Sequence, residues 1–177
     1  MADTTGMRCT LYLMRHGLAA DPVRGMRDAD RALTEDGVRR TSRIAVGLKR
    51  LGVEVDAILT SPYRRAEETA RLVAEALSPG LAVELYPPLS AGAAAPDILK
   101  GLKPARGTTR LLLVGHQPDL GDLASYLLTG SPTLAPLPFK KAAVAAIRVA
   151  SLPPRRAGIL EWFLTPGQLR ALAGRRK

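Results

Sequence analysis

The stretch Leu11-Tyr12-Leu13-Met14-Arg15-His16-Gly17 decides the fold. An unbroken apolar run stops at a cation, a histidine and a glycine. A short run of this kind, bounded by turn residues, reads as a strand buried on both faces, as in parallel sheets covered by helices. The pattern returns at Leu111-Leu112-Leu113-Val114-Gly115-His116-Gln117-Pro118. His16 and His116 are the only histidines in the chain. In an open α/β sheet, ligands bind in the crevice at the carboxyl ends of the strands. Two strands of one sheet would bring both imidazoles to the same rim, so they are read as one site.

Outward from these strands, helical and strand-like segments alternate. Thr34 caps an expected helix to Leu51, with Val38, Ala45, Leu48 and Leu51 inward and Gly52 as its stop. Val55 to Leu59 reads as a second strand, then Ser61 as N-cap and Pro62 at the first helical position. That helix extends to about Leu77, with Ala66, Thr69, Ala70, Val73 and Leu77 inward. Leu81 to Leu85 gives a third strand, Ala91 to Ala95 a small-residue loop, and Pro96 the start of a short helix. A helix is expected over Leu120 to Leu128. Ala142 to Val149 and Ile159 to Leu164 follow with no helix between them, which suggests a hairpin-like pair, and a last helix starts at Pro166. The class is α/β: a three-layer α/β/α sandwich around a mostly parallel central sheet. At 177 residues one domain is expected, over 8–173, with 1–7 and 174–177 as flexible termini.

Aromatics make up 4% of the chain, so aliphatic packing must fill the interior. Cys9 is the only cysteine, which excludes an intramolecular disulfide and fits a reducing cytoplasm. Residues 1–7 lack the apolar stretch of a signal peptide, and no run reaches the roughly 20 apolar residues of a membrane span. A monomer that does not engage membranes is expected. The net charge of +10 suits an anionic substrate, a nucleic acid, or arginine used simply for solubility. The basic pairs are dispersed along the sequence, with no aromatic platform among them, which argues against nucleic acid.

Arg15-His16-Gly17 follows the first strand. A neutral imidazole has the lone pair that a phosphoryl acceptor needs, and neighbouring arginines would depress the His16 pKa toward that form. Arg15 offers charged donors to phosphoryl oxygens, and Gly17 lets backbone approach them. The segment Thr60-Ser61-Pro62-Tyr63-Arg64-Arg65-Ala66-Glu67-Glu68-Thr69 opens a helix at a strand end, a position with free backbone donors for an anion. Arg64 and Arg65 point about 100° apart on a helix, so only one can face the site. His116 alone reads equally well as a buried, hydrogen-bonded histidine. Three such elements at three strand ends describe a phosphate pocket.

In order and spacing, Leu13-Met14-Arg15-His16-Gly17, Ser61-Pro62-x-x-Arg65-Ala66-x-x-Thr69 and Gly115-His116-x-Pro118 resemble the histidine phosphatase superfamily, with its phosphoglycerate-mutase-like fold. Asp30-Arg31-x-Leu33-Thr34-x-x-Gly37 and Leu160-x-Trp162-x-Leu164-x-Pro166-x-x-Leu169 resemble its SixA-type phosphohistidine phosphatases. The resemblance spans Leu11 to about Leu169. It implies His16 as the nucleophile, with Arg15, Arg65 and His116 around the transferred phosphoryl group. Register favours Arg65 over Arg64, since Ala66 and Thr69 then fall into place. Transfer to His16 followed by water attack would give a two-step hydrolysis with no cofactor. No His/Asp/Glu cluster is spaced for a metal.

Larger members of the superfamily carry a proton-donating glutamate after the third strand, in a Leu-x-Glu pattern. Here the matching stretch reads Leu85-Tyr86-Pro87, and Glu84 is the only nearby candidate acid. A phosphohistidine substrate tolerates that loss, because imidazole leaves more readily than an alkoxide. The expected function is a metal-independent phosphatase acting on phosphohistidine in a protein. The alternatives are a small phosphoester phosphatase or mutase, and a silent phosphate- or nucleic-acid-binding protein on the same fold. Cys9 and Arg15 have the Cys-x5-Arg spacing of thiol phosphatases, but an apolar strand separates them by about 20 Å.

Overall fold

The computed structural model describes residues 8–155 and 157–174; the expectations for 1–7 and for 175–177 lie outside the described residues. Six strands form one sheet: β1 Cys9–Arg15, β2 Ala57–Thr60, β3 Val83–Leu85, β4 Arg110–Gly115, β5 Val144–Val149 and β6 Ile159–Leu164. Their spatial order is β3-β2-β4-β1-β5-β6. The first four are parallel, and β5 and β6 close the sheet as antiparallel neighbours. Five helices cover it: α1 Glu35–Arg50, α2 Arg64–Leu77, α3 Ala95–Lys100, α4 Asp119–Thr129 and α5 Pro166–Leu172.

Alternation along the central strands divides the core in two. Leu11, Leu13, Leu111 and Leu113 pack with Phe139 and with Ile98, Leu120 and Leu123 of α3 and α4. Tyr12, Met14, Leu112 and Val114 pack on the other face with Ile44, Val73 and Leu169 of α1, α2 and α5. Each buried aliphatic side chain contributes about 1.5–3 kcal/mol. Both faces of β1 and β4 are therefore held, and their carboxyl ends are fixed in space. At the opposite end, the Asp56 carboxylate accepts from the backbone N–H groups of Thr109 and Arg110, from the Thr109 hydroxyl and from the Arg110 guanidinium. Those donors hold it well below the usual carboxylate range and tie the entry to β2 onto β4.

The inward stripe of α1 differs from expectation. Gly37, Thr41, Ile44 and Leu48 are buried at helical spacing, while Val38 and Leu51 are exposed. The cause is α5: its Leu169 carbonyl lies where a Cβ at Gly47 would sit, so α1 is covered on that side. Thr34 does cap α1, accepting from the Gly37 N–H at 2.9 Å. Helix α2 starts later than expected, at Arg64, and Ser61 does not cap it. Among the described residues, no helix is long and apolar enough to cross a membrane.

Candidate active site

Strand register assembles the site. Arg15 pairs with Gly115 across β1 and β4, and Thr60 pairs with Val114 across β2 and β4. The residues that follow, His16, His116 and Ser61, therefore leave the sheet side by side. The His16 N–H donates to the Gly115 carbonyl at 3.0 Å, and the two imidazole centroids lie 5.2 Å apart. Both rings are buried.

The partners of His16 fix its tautomer. Nδ1 lies 2.7 Å from the Gly17 carbonyl, which can only accept, so Nδ1 carries the proton. The Arg65 Nε–H donates to His16 Nε2 at 3.2 Å, so Nε2 presents its lone pair. Burial is the main cause that lowers the His16 pKa to about 3; His116, Arg65 and Arg15 add smaller contributions in the same direction. The expected arginine effect is present but secondary. Burial first, then Arg65, lowers His116 to about 4. Both rings are neutral at pH 7.

Arg65 sits in the first turn of α2 with its side chain buried, whereas Arg64 points outward and pairs with Glu68 at 2.8 Å. Beyond His16, Arg65 donates to the Asp28 carbonyl at 2.6 Å and to the Asp28 carboxylate at 2.8 Å. Its guanidinium also lies 5.0 Å from the Tyr63 ring centroid, and that ring packs 4.8 Å from His116. Arg15 donates to the Phe139 carbonyl at 2.8 Å, and its buried Nε has no partner among the described residues. His116 Nε2 contacts the Ser61 hydroxyl at 2.8 Å, while Nδ1 is buried without a partner among the described residues. The hydroxyl misread as a helix cap thus orients a histidine.

Gly17 also has a packing task. Its N–H donates to Thr69 Oγ1 at 2.9 Å. A Cβ there would strike the Thr41 hydroxyl, so the glycine lets α1 and α2 close behind the nucleophile. Thr69 in turn donates to the Arg65 carbonyl at 2.7 Å, linking the loop of His16 to the turn that carries Arg65. Glu84 is exposed in the edge strand β3, and its side chain makes no hydrogen bond or ion pair among the described residues. Pro87 opens a 3₁₀ turn, Pro87–Leu89. Cys9 and Arg15 stand at opposite ends of β1. Among the described residues, no group of three or more His, Cys, Asp or Glu side chains could hold a metal ion.

Asp28, Ser61, Tyr63 and Thr69 are the members of this constellation that motif reading leaves without a role. Ser61 and Thr69 lie inside the quoted motifs, so their polarity was the available signal. Asp28 reaches Arg65 from a 3₁₀ turn far away in sequence, and nothing local marks it.

Comparison with known proteins agrees with this geometry. Residues 11–90 match the histidine phosphatase superfamily (branch 1). An uncharacterised protein of Picosynechococcus sp. is 41% identical over 153 residues, covering 78% of this chain and 84% of that protein. The phosphohistidine phosphatase SixA of Escherichia coli is 28% identical over 162 residues, covering 90% of this chain and 96% of SixA. A solved structure of the protein histidine phosphatase SixA complexed with tungstate superimposes with a TM-score of 0.78 at 28% identity, covering 90% of this chain and 99% of that one.

Proposed function

The chain belongs to the SixA-type branch of the histidine phosphatase superfamily, and on that premise we propose that this phosphatase hydrolyses phosphohistidine in a protein. The observation that carries the reading is the neutral His16 whose Nε2 lone pair faces Arg65, with no carboxylate hydrogen-bonded to either histidine ring among the described residues. Asp28 is the carboxylate in contact with Arg65, and its pKa is lowered by hydrogen bonds from Arg31 and Arg65, so it is a poor proton donor.

In the first step, His16 Nε2 attacks the phosphorus in line, and the P–N bond of the substrate breaks. The bond pair leaves on the substrate ring, which departs as neutral imidazole when its other nitrogen holds a proton. Arg65 turns its Nε–H from His16 to a phosphoryl oxygen, Arg15 offsets the remaining charge, and neutral His116 donates a hydrogen bond. Ser61, already accepting from the Tyr63 N–H at 3.2 Å, can donate its hydroxyl proton to His116 Nε2 and leave Nδ1–H for the phosphoryl group. In the second step, water attacks the phosphorus, the P–Nε2 bond breaks, and inorganic phosphate leaves. Catalysis rests on positioning and electrostatics.

The test is a comparison of kcat/KM for a phosphohistidine protein or peptide with that for sugar phosphates and phosphoglycerate. General acid catalysis contributes roughly 10²–10⁴-fold, so phosphohistidine should lead by about 10²-fold or more. Faster turnover of an alkyl phosphoester would overturn the reading.

A further inference from the structure

A cleft of about 360 Å³ opens beside Arg15, between α1, α5 and the Lys140–Ala142 turn. Its floor is Leu18, Ile44 and Pro166; its cations are Arg15, Arg40, Lys140, Lys141 and Arg170, with no carboxylate in its wall. A neighbouring cleft shares Arg40 and Arg170 and adds Arg39 and Arg43, with Asp36 as the one acid among its lining residues. Basic residues that are scattered in sequence are gathered by the fold on one side of the active site.

Two observations set this cleft apart from a solvated face. Arg15 has a buried Nε on its wall with no partner among the described residues. Arg40 pairs with Asp36, but Lys140, Lys141 and Arg170 form no ion pair among the described residues. The cleft is also coupled to the nucleophile. The Ala142 N–H donates to the Arg15 and His16 carbonyls, both at 3.1 Å, and Ala142 takes a left-handed φ of 63° to do so. The turn bearing both lysines is thereby fastened to the backbone of His16.

We propose that this cleft is a second anion-binding site, which takes a carboxylate carried by the same substrate as the scissile phosphoryl group. In a phosphoprotein that group is an aspartate or glutamate flanking the phosphohistidine, a step that rests on the function proposed above. A second phosphate on a small molecule presents the same chemistry. Like charges gathered around one cleft repel unless an anion lies between them, and that repulsion is the physical basis for selecting such substrates.

The test measures kcat/KM for two phosphohistidine peptides, one flanked by glutamates and one by glutamines, on the native protein and on K140Q/K141Q. A sugar bisphosphate and the matching monophosphate form a parallel pair. The native protein should favour the acidic peptide about tenfold, mostly through KM, and K140Q/K141Q should bring that ratio close to one. Poor folding scales both substrates alike, so the ratio reads the folded fraction alone and still falls close to one if the lysines set it. If neither peptide is cleaved but the bisphosphate is preferred and the variant loses the preference, the cleft binds anions and the phosphohistidine reading fails. Equal kcat/KM within each native pair, or a preference that survives K140Q/K141Q, overturns the proposal.

Discussion

An imidazole titrates near 6.5 in water but near 3 at His16 and near 4 at His116, mainly because burial penalises the charged ring. The kcat/KM profile, corrected for ionisation of the substrate, should therefore show no enzyme group titrating near 6.5 on its acid side. An acid limb near 6.5 that persists after that correction would contradict this. Stability follows the same sign. Both folded-state values are depressed, so the unfolded chain binds more protons below about 6.5, and stability is lost as pH falls from there toward 3. The melting temperature of His16→Asn should fall less steeply than that of the native protein across this window. Variants at neutral pH sort the residues further. His16→Ala should abolish turnover of an aryl phosphate, and His116→Ala and Arg65→Ala should each cost roughly 10²–10³-fold. Arg64→Ala should matter far less, since its partner is the outward Glu68. Near-equal losses at Arg64 and Arg65 would refute the assignment. Helix geometry left the choice between those arginines open, and the resemblance settled it, because Ala66 and Thr69 then fall into place in its motif. Asp28 was not legible, since its contact with Arg65 crosses the sequence through tertiary structure alone.

Among the elements, the buried strands were the most legible, because Leu11–Met14 and Leu111–Val114 are apolar on both faces. Ser61-Pro62 was the least: it has the chemistry of a helix start, yet α2 begins at Arg64 and the hydroxyl turns to His116 instead. The stripe of α1 was misplaced for a related reason, since the covering helix α5 lies at the far end of the chain and no local pattern announces it. Strand β3 and the turn after it bear on the chemistry. Glu84 is exposed there and Pro87 stands where an acid would be, so the rate should depend on the leaving group. Across a series of aryl phosphates, kcat/KM should fall steeply as the phenol pKa rises, with alkyl phosphates nearly inert. Glu84→Gln should leave both classes unchanged. A flat series with chemistry rate-limiting, or a selective loss of alkyl turnover in Glu84→Gln, would reveal a proton donor.

At the scale of the whole molecule, the sheet order β3-β2-β4-β1-β5-β6 places the carboxyl ends of β2, β4 and β1 side by side, and those ends carry Ser61, His116 and His16. Alternating strand and helix signals made the three layers readable in the sequence. The concentration of charge was not readable, because Arg40, Lys140 and Arg170 come together only when α1, α5 and the turn before β5 pack. The central claim is that phosphate passes through His16 Nε2 without help from a metal. It is tested most directly by mixing the protein with an excess of ³²P-labelled aryl phosphate in the presence of a chelator, quenching in base and mapping the label. Label on His16, stable in base, released in acid and absent from His16→Asn, is the predicted result. Turnover with no base-stable label on His16, or activity that stops in chelator and returns with a divalent cation, would contradict the account.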